Sequence, residues 1–177
     1  MGEKFNILTY MAVTVTLVVG ADGSTSKNGN SSGVSSAADR SAFLARRRLA
    51  DCILIGGNTA RNEPYHRTPV PVVVLSKSLI NPLADNRLAH CWNLSPVKAI
   101  ERAEKTFGPN IHVEAGVAII QELIDADMVD ALELSVTDVT GGEDLIDIEK
   151  LLSHFSVSEE KSESGTRFIS ARRSLKS

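Results

Sequence analysis

Three features of the sequence predict an α/β chain: a mostly parallel central sheet with an antiparallel hairpin at its C-terminal end. First, Cys52–Ile55 and Val70–Leu75 are continuous runs of mainly branched apolar residues, each stopped by glycines or by a polar cluster. Strands buried on both faces of a parallel sheet read this way, although a short buried helix can look the same. Second, helix-period segments lie between the strand-like runs, as βα units require. Third, Phe155–Val157 and Arg167–Ala171 flank the charged, serine-rich stretch Glu159–Gly165, the pattern of a hairpin and its tip.

Length and composition set the frame. A chain of 177 residues, 42% hydrophobic and 23% charged, can bury a core without staples and is expected to form one domain over residues 1–177. A net charge of −3 gives no electrostatic footprint for nucleic acid. Two cysteines, Cys52 and Cys91, make no disulfide framework and fit a reducing compartment, here taken as the cytoplasm. The apolar run Ile7–Ala21 follows Lys4 and ends in small residues, so a signal peptide must be weighed. Its Thr9, Tyr10, Thr14 and Thr16 and its valines favour a buried first strand, and it is too short to span a membrane.

In chain order, Ala21–Gly33 reads as a long polar loop, either a surface excursion or functional. Ser36 then serves as N-cap, with Asp39 three residues on, for a helix to about Ala50 that turns Phe43 and Leu44 inward. Arg46, Arg47 and Arg48 point in directions about 100° apart, so one faces a site while the others are solvated. Pro64 would break any helix in the polar cluster Asn58–Glu63. A short strand is expected at Cys91–Leu94. Ser95 caps a helix from Pro96 to about Phe107. Ile111–Ala115 is a strand, and Val117, Ile119, Ile120, Leu123, Ile124 and Met128 mark one face of the next helix. Ala131–Thr137 alternates as a strand with one covered face, and a short helix falls near Ile148–His154.

Two places read as site candidates. The run Ala50–Tyr65 delivers Asn58, Thr59, Arg61, Asn62 and Glu63 at the C-terminal end of a strand, after two glycines that let a backbone approach a ligand; the alternative is an ordinary strand–loop junction. The second, His112–Val117, is a strand, a small residue and Gly116, then a helix start, a geometry that receives an anion. Glu114 beside it calls for a donor-rich partner. A weaker signal is Ser76-Lys77-Ser78 at a strand end, hydroxyls and an ammonium suited to a phosphate monoester or simply a polar turn. His66, His90, His112 and His154 lack ligand spacing, so no metal site is expected. Motifs for a phosphate loop, a nucleophile elbow and a Rossmann dinucleotide site are missing.

The order of these pieces resembles the pyrimidine reductases of riboflavin synthesis, the reductase half of the bifunctional deaminase–reductase, with stand-alone relatives in the dihydrofolate-reductase-like superfamily. Ala21-Asp22-Gly23 stands where that family has Ser-Leu-Asp-Gly, and Gly29–Ser36 is similar to its Gly-x-Ser loop. Asp39-Arg40, Phe43, Arg47 and Leu49-Ala50-Asp51 match its helix. Ile55–Tyr65 resembles Val-Gly-x-x-Thr-x-Arg-x-Glu-x-Tyr, and Val113-Glu114-Ala115-Gly116 stands in for Glu-Gly-Gly, followed by Met128–Asp130 and Leu132–Leu134. The departures are Gly20 for serine, Ala115 for glycine, no proline in Asp138–Gly142, and a short stretch between Ser78 and Ile111.

The resemblance implies a dihydrofolate-reductase-like three-layer fold, a homodimer, and hydride transfer from NADPH to the C1′ carbon of a phosphorylated (di)aminopyrimidine ribosylamine. It implies Val19 and Gly33 near the nicotinamide, Gly57, Thr59 and Glu63 along the cofactor, and Ser76 with Lys77 on its adenosine ribose phosphate. Ala115, Gly116 and Val117 would receive the pyrophosphate, and Ser31, Arg47, Arg67 and Glu114 would contact the substrate. Asp22 is the candidate proton donor. Alternatives on the same fold are a folate or pterin reductase and a non-catalytic nucleotide-binding relative.

Overall fold

In the computed structural model, which describes residues 12–78 and 80–174, the apolar runs become the strands of one sheet. The elements are β1 (Ala12–Val19), β2 (Ser24–Ser26), a 3-10 turn (Ser31–Gly33), α1 (Ala37–Arg47), β3 (Cys52–Gly56), α2 (Gly57–Asn62), β4 (Val72–Leu75) and β5 (Ala89–Trp92). They continue with α3 (Pro96–Phe107), β6 (Asn110–Val113), α4 (Val117–Asp125), β7 (Ala131–Val136), β8 (Glu143–Leu145), α5 (Ile148–Leu152), β9 (Phe155–Glu163) and β10 (Thr166–Arg173). Residues 7–11 of the expected first strand lie outside the described residues.

The sheet runs β5-β4-β3-β6-β1-β7-β10-β9. From β5 to β7 all neighbours are parallel, and β10 and β9 add antiparallel edges. Along β6, Ile111 and Val113 enter the larger core with Ala99, Ile100 and Ala103 of α3 and Ile120 and Leu123 of α4. On the opposite face, Ile53, Ile55, Val72 and Val74 pack against Ala60 of α2, Tyr65 and Leu83. Helices on both faces of a mostly parallel sheet give three layers, as the sequence predicts.

Caps form where the sequence places them. Ser36 Oγ accepts from Asp39 N (3.0 Å) and Ser95 Oγ from Lys98 N (3.4 Å), with Pro96 at the first position of α3. Asp39 does not return a bond to the Ser36 backbone, because its carboxylate takes the Ser35 hydroxyl at 2.6 Å.

Several expectations are corrected. Leu44 is exposed, since it lies a full residue step around α1 from the inward row Asp39–Phe43–Arg47. Residues 57–62 do form a helix, which ends ahead of Pro64. The polar loop after β1 contains β2, which pairs with β8 as a separate two-stranded ribbon. β7 is covered on both faces: Ser135 and Thr137 are as buried as Leu134, because β1 and β10 flank the strand and α1 closes the far side. The expected hairpin tip is mostly strand, and only Ser164 (φ 50°) and Gly165 (φ 79°) turn, in the left-handed pair of a type I′ hairpin. Gly20, which departs from the family serine, is a glycine for lack of room: a Cβ there would lie 2.5 Å from the Val139 carbonyl oxygen.

Beneath α1 the middle of the sheet is polar. His112, opposite in pleat to Ile111 and Val113, is buried with Nδ1 unpartnered, and Arg46 keeps Nε and Nη2 buried without a partner. Arg46 is therefore not one of the solvated arginines; Arg48 is. Burial, then the charges of Arg46 and Arg47, pushes the His112 imidazole down to about 4. In the unfolded chain it titrates near 6.5, so between those values the unfolded state binds the extra proton and stability is lost as the pH drops. The loss from pH 7 to 4 is expected to be on the order of 3 kcal/mol from this residue. His112→Gln should flatten that part of the profile in melts across pH 4–7, and an unchanged slope would refute the assignment.

Candidate active site

The parallel strands end together on one side of the molecule, and a cavity of about 540 Å³ opens there. Ligands in open α/β sheets sit beyond the carboxyl ends of strands, and this volume lies in the range of small-molecule sites. Its floor is the end of β1 (Thr16, Leu17, Val18), Gly56 of β3, Leu75 of β4 and Glu114 to Gly116 after β6. Its walls are α1 through Asp39, Arg40, Phe43 and Arg47, the stretches Gly57–Thr59 and Asn62–Tyr65, the start of α4, and Ser31 from the 3-10 turn.

At its centre is a buried ion pair. Arg47 donates from Nε to Glu114 Oε1 and Oε2, both at 3.1 Å, and from Nη2 to Oε2 at 2.8 Å. Tyr65 donates its hydroxyl to the same Oε2 at 2.7 Å. The guanidinium carbon lies over two aromatic rings, 4.3 Å from the Phe43 centroid and 4.6 Å from that of Tyr65. Burial alone would lower the Arg47 pKa, and the hydrogen bond and charge of Glu114 outweigh it and raise it. Burial, with the Glu114 charge adding to it, drives the Tyr65 phenol well up, so it stays a donor at neutral pH. The donor-rich partner that Glu114 calls for is thus supplied by the chain itself. Tyr65 is the member that sequence reasoning left out of the site, although it ends the polar run after β3 and a buried carboxylate needs donors.

Around the pair, Glu63 Oε1 accepts from Ser31 N at 2.8 Å and ties the loop before α1 to the end of α2. At Gly116 a Cβ would meet nothing within 4 Å, so the chain leaves open space there. The first N–H groups of a helix have no intrahelical acceptor, and Val117 and Ala118, which open the nine-residue α4, line the cavity. Ala115 is buried in the larger core, so its methyl group does not fill the space at Gly116. Thr16 Oγ1 is buried in the floor without a partner.

The cavity therefore unites Ser31, Arg47, Gly57, Thr59, Glu63, Glu114, Ala115, Gly116 and Val117. Other expected residues lie elsewhere. Val19 turns into the core, because the pleat gives Val18 to the cavity. Gly33 packs against Lys27, whose carbonyl oxygen would be 2.3 Å from a Cβ. Arg67 is exposed and outside the wall, while Arg40 of α1, itself exposed, lines its rim. Ser76 and Lys77 follow β4 just beyond the lining, with Ser76 Oγ 3.4 Å from a Cβ position at Gly57.

Asp22 is a loop clamp. Its Oδ1 accepts from Ser24 Oγ (2.6 Å) and N (3.1 Å), and Oδ2 from Gly141 N (2.7 Å). These bonds, the Ser24 hydroxyl first, hold its carboxyl below the usual range, so it carries no proton to donate, and it is outside the cavity wall. Among the described residues no group of three or more His, Cys, Asp or Glu is placed to hold a metal, and no helix is long and apolar enough to cross a membrane.

Comparison with known proteins agrees with this architecture. No curated protein matches the chain in sequence. Among solved structures, a pyrimidine reductase-like protein from Corynebacterium diphtheriae superposes with a TM-score of 0.73 at 16% identity, over 93% of this chain and 92% of that one. A diaminohydroxyphosphoribosylaminopyrimidine deaminase/5-amino-6-(5-phosphoribosylamino)uracil reductase from Thermotoga maritima gives 0.71 at 14% identity over 92% of this chain; the chain spans 56% of its length. A dihydrofolate reductase from Enterococcus faecalis, complexed with NADP(H), gives 0.70 at 16% identity over 92% and 96%. At such identities these structures establish a dihydrofolate-reductase-like fold. The RibD C-terminal domain family matches residues 11–165, most of the sequence, and the chain belongs to that family.

Proposed function

We propose that this chain is an NADPH-dependent pyrimidine reductase of riboflavin biosynthesis, reducing the ribosyl C1′ of an aminopyrimidine ribosylamino phosphate. The observation that carries the reading is that the Thr59 and Gly116 segments share one cavity with the Arg47–Glu114 pair. Family membership and the fold shared with a protein complexed with NADP(H) support it.

The residues fit such a cofactor. The open space at Gly116 and the unpaired N–H groups at the start of α4 suit a pyrophosphate, and Gly57 and Thr59 would flank the dinucleotide. Reduced nicotinamide supplies a hydride when bound. What the chain supplies is orientation. Glu63 fixes the Ser31 loop through its backbone N–H, and Glu114 with the Phe43 and Tyr65 rings holds the Arg47 guanidinium in one direction. Of the five N–H donors of Arg47, the pair uses Nε and one on Nη2, and a substrate would meet the face left over. Because Glu114 is neutralised by Arg47, its charge does not repel an anionic ligand nearby.

Turnover of NADPH with the diaminopyrimidine ribosylamino phosphate, run beside dihydrofolate, tests the proposal. Oxidation with the pyrimidine and none with dihydrofolate is expected; the reverse would assign the site to a folate or pterin. Sedimentation of the same sample reads the homodimer that the family resemblance implies.

A further inference from the structure

One hydroxyl in the cavity floor makes no bond within the protein. Thr16 is 7% exposed and lines the cavity, and its Oγ1 has no hydrogen-bond partner. The pleat of β1 sends Val13 and Val15 into the larger core and turns Thr16 to the opposite face. One step beyond the Val15–Val113 pair, Thr16 stands beside Glu114, and on its other side it pairs in register with Glu133. Neither carboxylate takes its hydroxyl. Glu114 is held by Arg47 and Tyr65, and Glu133 accepts from Ser170 Oγ at 2.6 Å. A valine would fill nearly the same volume, suits a strand as well, and leaves no polar group without a partner. Folding alone therefore gives position 16 no reason for its hydroxyl, and a ligand does.

Resting on the pyrimidine reductase reading, we propose that Thr16 is a specificity-determining residue whose hydroxyl meets the polar edge of the substrate's pyrimidine ring. Under that reading the dinucleotide takes Gly57, Thr59 and Gly116, whereas the strand neighbour of Thr16 is Glu114, a member of the ion pair on the substrate side. A hydroxyl both donates and accepts, so it pairs with either an amino or a carbonyl group of an aminopyrimidine. A ligand that lacks such a group on this edge would leave the hydroxyl buried and unpaired. Sites built to hydrogen-bond a substrate reject analogues on that ground. Thr16 thus contributes to the choice and binding of the substrate and transfers no proton.

The test is steady-state kinetics of the whole chain with NADPH and the diaminopyrimidine ribosylamino phosphate, for the wild type, Thr16→Val and Thr16→Ser. Thr16→Val should raise the KM of the pyrimidine by about tenfold and leave the KM of NADPH unchanged. Its melting temperature should equal or exceed that of the wild type, because the unpaired hydroxyl is gone. Thr16→Ser keeps the hydroxyl and should hold the wild-type KM. If Thr16→Val leaves the pyrimidine KM unchanged, raises the KM of NADPH instead, or melts well below the wild type, the inference is overturned while the reductase reading stands. If the wild type oxidises no NADPH with the pyrimidine, both are overturned.

Discussion

Glu114→Ala is expected to lower stability by about 3–5 kcal/mol, because it leaves a buried guanidinium without its carboxylate. Arg47 is 6% exposed and donates from both Nε and Nη2 to Glu114, and the Tyr65 hydroxyl loses its partner as well. For a chain of this size the melting temperature should fall by roughly 10 °C. Turnover should vanish with it, since the direction of Arg47 is set by Glu114. A double variant separates the two effects. Replacing both charges, as in Glu114→Leu with Arg47→Met, removes the orphaned ion and should recover much of the stability without activity. A single Glu114→Ala variant that melts with the wild type would show that the pair does not anchor α1 to the sheet.

The second large effect has the opposite profile. Gly116→Asp should leave stability within about 0.5 kcal/mol of the wild type, or raise it slightly. The residue is exposed, its φ of −66° suits any side chain, no atom lies within 4 Å of the new Cβ, and aspartate is a good N-cap for α4. The same carboxylate would stand where a pyrophosphate is expected and repel it, so NADPH affinity should drop by about a hundredfold or more. Calorimetric titration beside a melt reads both numbers. A variant that is stable and still binds NADPH normally would remove the anion site from Gly116.

Much of the fold is legible in the sequence because the parallel strands are buried on both faces and appear as unbroken apolar runs, Cys52–Ile55 and Val70–Leu75 above all. What is missed is polar. β2 and β8 are short strands of Ser-Thr-Ser and Glu-Asp-Leu that find each other only through the fold. β9 is exposed along nearly its whole length as the sheet edge, so no apolar alternation marks Glu159–Glu163 as strand.

For the site, the motif order brings Thr59, Glu63, Arg47 and Glu114 into one cavity, yet it does not reveal that Arg47 and Glu114 are each other's partner. Each reads as a ligand contact by itself, and periodicity alone does not show that Arg46 is buried beside Arg47 while Arg48 is exposed. The exchange of Val19 for Val18 depends on pleat, and the clamp role of Asp22 depends on where the Gly141 backbone returns.

Cofactor binding as proposed requires one dinucleotide to lie across the ends of β3 and β6. A crystal structure of the chain soaked with NADPH measures this directly. The pyrophosphate should lie against the Gly116 and Val117 backbone, with the adenosine ribose phosphate at Ser76. A cofactor bound with its pyrophosphate away from α4, or outside the cavity altogether, would contradict it.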